Sequence, residues 1–220
     1  MRRSKTEALI TLQASLARSV DPILINDKFL RTKKGFAYIN KLDDCTERIH
    51  ISPRRPIHSG DTTEIYIAIN VVIELASVNS FIETLELHPK SLQWNVDATI
   101  YQPIGNLKPK REFIEWKLAT DEDYSDFCSS FLDLYRDYIV DFLSFYKTPR
   151  SIVEGFLRSD PRLPIGRGWL VRVIVCCLMI GKFELARDLA MQSLDKPGLR
   201  QEYAVLIDRV YAPSSTTQQE

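Results

Sequence analysis

Residues 64–74 read EIYIAINVVIE, and the period of this stretch decides the fold. Ile65, Ile67, Ile69, Val71 and Ile73 alternate without a break, which is the spacing of one face of a β-strand. The residues between them, Tyr66, Ala68, Asn70 and Val72, are mixed in polarity. One apolar face and one mixed face predict a central strand in a sheet covered on one side.

Upstream, Phe36, Tyr38 and Leu42 follow Gly35 at the same period, and Ile49 and Ile51 resume it beyond a turn-like Asp43-Asp44. Downstream, Leu92 to Tyr101 and Glu112 to Leu118 also read as strands, the second with Ile114, Trp116 and Leu118 toward one face. Pro53, Pro56 and Gly60, then Pro103, Gly105, Asn106 and Pro109, supply the turns. Short connections favour an antiparallel meander, here of about five strands.

Helical spacing flanks the strands on both sides. Ser4-Lys5-Thr6-Glu7 is a capping box, and Ala8, Leu9, Leu12, Leu16 and Val20 form an apolar stripe that should end near Asp21-Pro22. After Thr120, residues 122–147 place Phe127, Phe131, Leu134, Tyr135, Tyr138, Phe142 and Phe145 on one face. Shorter helices are predicted near 149–158, 168–180, 182–194 and 199–210, punctuated by Pro149, Pro161, Pro164, Gly181 and Pro197-Gly198. Strands followed by helices make an α+β protein: an N-terminal helix, an antiparallel sheet and a C-terminal helical region. Residues 1–120 and 121–211 are expected to form two packed lobes, with 212–220 a disordered polar tail.

Within the helical region, residues 173–190 read VIVCCLMIGKFELARDLA. Cys176 and Cys177 project about 100° apart on a helix and have no nearby His, so they read as packed thiols, not as metal ligands. Gly181 should stop one helix and start another, giving a hairpin. The spacing of Gly181, Phe183, Ala186 and Ala190 resembles half of a tetratricopeptide repeat, but only one such unit occurs and a solenoid needs about three.

The chain has 220 residues, 45% of them hydrophobic, so it can bury a core. It carries 29 basic and 29 acidic side chains, which gives no overall attraction to nucleic acid or to an anionic membrane. The charge is uneven: residues 1–60 hold 12 Lys/Arg against 6 Asp/Glu, and residues 121–160 hold 4 against 9. Charged residues interrupt the first ten positions before a signal-peptide core can build, and a cytoplasmic location is expected. The longest apolar stretch, Trp169 to Ile180, is 12 residues and includes Arg172, short of the roughly 20 a bilayer requires.

No common nucleophile, zinc or phosphate-loop signature is present, so no catalytic residue, metal or cofactor is assigned. Cys45, His50 and His58 fall close together but match no ligand spacing, and His88 before Pro89 reads as a solvated loop residue. Two charged features remain. Asp126, Asp133, Asp137 and Asp141 recur at spacings of seven and four, forming one ridge on the helix from residue 122. Either internal Arg or Lys residues neutralise this ridge, or it awaits a basic partner, or it captures Mg²⁺. The second feature is SPRRPIH, residues 52–58, where Arg54 and Arg55, with Lys33 and Lys34, would offer phosphate a basic loop, although no aromatic interleaves with the arginines.

Gly35-Phe36 and Ile69-Asn70-Val71, in the run KKGFAYINKL…ERIHISPRRP…TEIYIAINVVIE, resemble the bacterial family catalogued as domain of unknown function 4304. The resemblance implies the same order of leading helix, strands and C-terminal helical hairpin. Small bacterial families of this kind, lacking catalytic residues, resemble immunity proteins that neutralise toxins. The expectation is therefore a non-enzymatic, cytoplasmic module that binds one protein partner, most concretely an immunity-type toxin inhibitor using the aspartate ridge. The alternative is a nucleotide or nucleic-acid binder using Arg54, Arg55, Lys33 and Lys34. A third reading, an enzyme, would require a pocket with convergent titratable groups.

Overall fold

The structure, a computed structural model, describes residues 5–54, 64–87 and 98–212. Ser4 of the capping box, Arg55, His58, His88, most of the strand expected from Leu92 and the tail beyond Ala212 lie outside the described residues.

The alternating stretch forms the longest strand, β4 (Ile65–Leu75), preceded by β1 (Leu30–Arg31), β2 (Ala37–Lys41) and β3 (Cys45–Arg54). These four pair in sequence, each antiparallel to the next, with β3 and β4 matched from Cys45 opposite Leu75 to Arg54 opposite Tyr66. The antiparallel order continues through a fifth strand, the number expected, and a sixth lies off this path. β5 (Ile100–Pro103) and β6 (Trp116–Leu118) both pair with the other edge of β4, β5 along Asn70–Ile73 and β6 along Ile65–Ile67. An 11-residue strand has length for both short neighbours, so the sixth strand shares an edge instead of adding one. β6 is also shorter than the run predicted from Glu112, because residues 111–115 leave the strand conformation before Trp116.

Residues opposite one another in an antiparallel pair share a face. Tyr38, Ile49 and Val71 make one row of the covered face, and all three are fully buried. On the reverse face Arg48, His50, Tyr66, Ala68, Asn70 and Glu74 are half-buried, and Arg48 pairs with Glu74 at 2.7 Å across the strands. One-sided covering is what the mixed polarity of β4 predicts.

α1 (Lys5–Ser19) buries Ala8, Leu12 and Leu16 and packs against α4 (Asp121–Leu134), which in turn packs on β6. α1 ends just before Asp21-Pro22, as expected, and α2 (Asp21–Asn26) starts there at once, because proline lacks only the amide that a first helical turn leaves unused. α3 (Ala76–Glu83) follows β4 directly and takes its N-terminal hydrogen bonds from the Asp44 turn, whose carboxylate accepts from the Ser77 amide at 2.7 Å.

The helix predicted over 122–147 is broken by one wider, i→i+5 turn at Tyr135–Ile139, after which α5 (Val140–Phe145) completes it. Its buried residues step by four, through Phe127, Phe131, Tyr135 and Ile139. In an α-helix each such step drifts about 40° around the axis, and the wider turn reverses the drift so that Phe142 and Tyr146 stay buried. Thr120 caps α4 in a reciprocal box with Asp123.

The remaining helices stack in order: α6 (Pro149–Leu157), α7 (Arg167–Met179), α8 (Phe183–Ser193) and α9 (Ala204–Tyr211), each touching the next. α9 starts later than predicted, since residues 197–203 turn. The hairpin is present. Gly181 has φ +76°, and the Lys182 amide donates to the Cys177 carbonyl at 2.8 Å while Gly181 donates to Leu178, closing α7 in a Schellman turn. Ala186 and Ala190 are fully buried against α7. A single core cluster holds Leu16, Val71, Phe131, Val173 and Leu206, and therefore spans both sides of residue 120. No helix among the described residues is long and apolar enough to cross a membrane.

Candidate interaction surface

Asp126, Asp133, Asp137 and Asp141 all face solvent. The wide turn at 135–139 bends their row, and internal cations take two of them. Arg136 lies 3.6 Å from Asp133, and Arg162 donates to Asp141 at 2.5 Å. Asp126 and Asp137 make no ion pair among the described residues.

Arg54 is bound by the Glu115 carboxylate, its Nε at 2.6 Å. Lys33 and Lys34 are exposed in the turn before β2, where the Lys34 carbonyl accepts from Gln13 Nε2 at 2.9 Å. Cys45 is buried on the covered face and His50 lies on the reverse face, so the two cannot converge on one ion. No group of three or more His, Cys, Asp or Glu among the described residues is placed to hold a metal. All four thiols are free and buried, and burial pushes Cys177 and Cys128 up to about 11.

A different surface is built more elaborately. β5 runs into a 3₁₀ turn at Ile104–Leu107, where the chain folds back so closely that a Cβ at Gly105 would collide with the Glu112 carbonyl oxygen. The Glu112 amide donates to the Gly105 carbonyl at 3.2 Å. This fold-back presents Arg111 and Phe113. The Arg111 guanidinium reaches across to the α6–α7 connection, donating from Nε to the Pro161 carbonyl at 2.7 Å and from Nη2 to the Leu163 carbonyl at 2.5 Å.

That connection is held at several more points. Asp160 accepts from the Tyr146 hydroxyl at 2.7 Å, from the Arg162 amide at 2.9 Å and from the Arg162 guanidinium at 2.8 Å. Partial burial alone would raise its pKa, but these donors win and hold it at about 2. Gln102 donates to the Arg162 carbonyl at 2.6 Å, and Asn106 donates to Gln102 at 2.8 Å. The Arg162 guanidinium also lies over the Phe142 ring at 5.7 Å.

Two loops fixed in this way, and the end of α6 beside them, carry apolar side chains into water. Phe113 is 81% exposed, Ile165 84% and Leu157 52%. Between them lie three adjoining cavities. The first, about 400 Å³, opens between β5 and the start of α7 and is walled by Tyr101, Gln102, Asn106, Ile165 and Trp169. Buried Arg172 also lines it, donating from Nε to the Ala98 carbonyl at 2.8 Å and from Nη1 to Gly168 at 2.9 Å. The second, about 720 Å³, adds Leu157, and the third, about 350 Å³, adds Phe113 and Asn70. Arg111 lines all three.

These cavities offer apolar walls, hydrogen-bonding amides and the Arg111 and Arg172 guanidinium groups. Among the described residues, the carboxylates lining the three cavities are Asp160 and Glu112, the first held by Arg162 and the second by Lys108. Proton transfer near neutral pH needs a group poised near 7, and Asp160 is pushed the other way. No His or Cys lines these cavities among the described residues.

No protein-family model matches the chain, nor does any curated protein or solved structure. The family resemblance drawn from Gly35-Phe36 and Ile69-Asn70-Val71 thus rests on those residues alone.

Proposed function

We propose that this chain is a non-enzymatic binding module for a protein partner, and that it binds through the surface around Arg111, Phe113 and Ile165. The supporting observation is that Phe113 and Ile165 are each more than four-fifths exposed on loops anchored by many hydrogen bonds. Apolar side chains fixed in water beside cavities are the pattern of an interaction site, where a few central anchors carry the affinity. An immunity-type inhibitor is one case of this reading, with a toxin as the partner. The charge at this surface favours a different partner from the aspartate ridge, since the residue common to its cavities is an arginine.

The test compares tagged wild-type chain with the double variant Phe113→Ser, Ile165→Ser in the native cells. Both sites are exposed, so the variant should melt within a few degrees of wild type. A stoichiometric partner should co-purify with wild type and be lost from the variant. Equal recovery from a folded variant would refute the surface. For the immunity case, the recovered partner should arrest growth of cells lacking the chain.

A further inference from the structure

The docking surface described above has an anchoring point, and its chemistry restricts the partner. Arg111 carries five N–H donors. Nε and Nη2 donate to the Pro161 and Leu163 carbonyls, and Nη1 has no partner among the described residues. Those partners are neutral carbonyl oxygens, so no carboxylate among the described residues neutralises the guanidinium, and its position is fixed by the loop it ties. Beside it, the cavity of about 400 Å³ offers Tyr101, Trp169, Pro164 and Ile165 as walls, with Gln102 and Asn106 held to one another. That volume lies in the range of ligand sites and is ample for one large side chain.

We infer that this cavity, between β5 and the start of α7, takes an apolar side chain of the partner protein while an adjacent partner carboxylate bonds to Arg111 Nη1. The inference rests on the protein-binding reading and names the chemistry of its partner: a segment in which large apolar residues neighbour Asp or Glu. A free aromatic acid would satisfy the cavity and the arginine, but would leave Phe113 and Leu157 in water. Only a chain that continues past the cavity in both directions covers them. The positive charge behind Nη1, held in place by the other two nitrogens, also favours a carboxylate over any neutral acceptor.

The test uses a fluorescein-labelled pool of octapeptides in which Leu, Phe and Trp alternate with Asp and Glu. A matched pool carries Lys and Arg in the charged positions, and phenylacetate serves as a free-acid competitor. Fluorescence anisotropy against the full chain should show the acidic pool binding at least tenfold more tightly than the basic pool. Phenylacetate should displace it only at concentrations at least a hundredfold higher. Arg111→Gln should weaken the acidic pool at least tenfold. Because Arg111 also ties a loop, the exposed Ile165→Asp provides the second variant: it places a repelling carboxylate at the rim, and should weaken the acidic pool tenfold without lowering the melting temperature. Equal binding of the two pools, unchanged binding by Ile165→Asp, or displacement by phenylacetate at peptide-like concentrations would overturn the inference. If the acidic pool fails while the Phe113→Ser, Ile165→Ser variant still loses its partner, the inference falls alone. If that variant keeps its partner, the docking reading falls with it.

Discussion

Lys28 and Ser159 hold φ values of 69° and 54°, in the left-handed region that costs a side-chain-bearing residue roughly 1–2 kcal/mol. Each ends a helix in the position where glycine is usual: the Phe29 amide donates to Leu24 at 2.8 Å, and the Asp160 amide donates to Gly155 at 3.0 Å. Lys28→Gly and Ser159→Gly should each raise stability by about 0.5–1 kcal/mol in urea denaturation, the relief of strain exceeding the entropy that glycine adds to the unfolded chain. Asp160, next to Ser159, gives a pH signature. Its folded pKa, about 2, lies below the ordinary carboxylate value of about 3.9, so its contribution is complete above pH 4 and disappears as pH falls toward 2. The stability gap between wild type and Asp160→Asn should therefore be largest at pH 5–7 and shrink between pH 4 and pH 2. A gap constant with pH would mean that the Arg162 and Tyr146 bonds do not hold this carboxylate ionised.

At the scale of elements, Gly105 and Gly155 mark two places where chain segments approach too closely for a side chain. A Cβ at Gly155 would strike the Tyr146 ring, the residue that donates to Asp160, and one at Gly105 would strike backbone. Gly155→Ala should cost about 1–3 kcal/mol, and Gly105→Ala more, because backbone yields less than a side chain. Calorimetric melting of the two variants would order them. These contacts explain how much was legible in the sequence. Alternation in β4 and the four-residue steps of α1 are local, and they mark the sheet's covered face and the first helix. The fold-back at Gly105 meets Glu112, the Arg111 bond to Pro161 joins positions 50 residues apart, and no periodicity encodes either. The available signals were faint: Phe113 falls on the polar side of the Ile114, Trp116 and Leu118 alternation, and Ile165 sits between Pro164 and Gly166. The aspartate ridge was legible as a spacing, but the wide turn at 135–139 and the reach of Arg162 to Asp141 are tertiary events.

For the whole molecule, one core joins the sheet, α4 and the α6–α9 stack, with Leu16, Val71, Phe131 and Val173 in the same cluster. Heating should accordingly give a single calorimetric transition in place of separate melting near residue 120. The four buried thiols, raised by burial, should label only as the whole chain opens, so that all four react at one common rate in a native-state thiol exchange experiment. Early labelling of Cys176 and Cys177 alone would show that the helical stack opens independently of the sheet.

Phe113 and Ile165 are the two most exposed large apolar side chains among the described residues, and the central claim is that a partner covers them. A photo-reactive phenylalanine analogue placed at position 113 or 165, with controls at the exposed Glu122 and Asp137, tests it in living cells. The account predicts the same discrete protein adduct from 113 and 165 and none from the controls. Adducts from Asp137 with none from 113 or 165 would move the interface to the aspartate row and contradict the account.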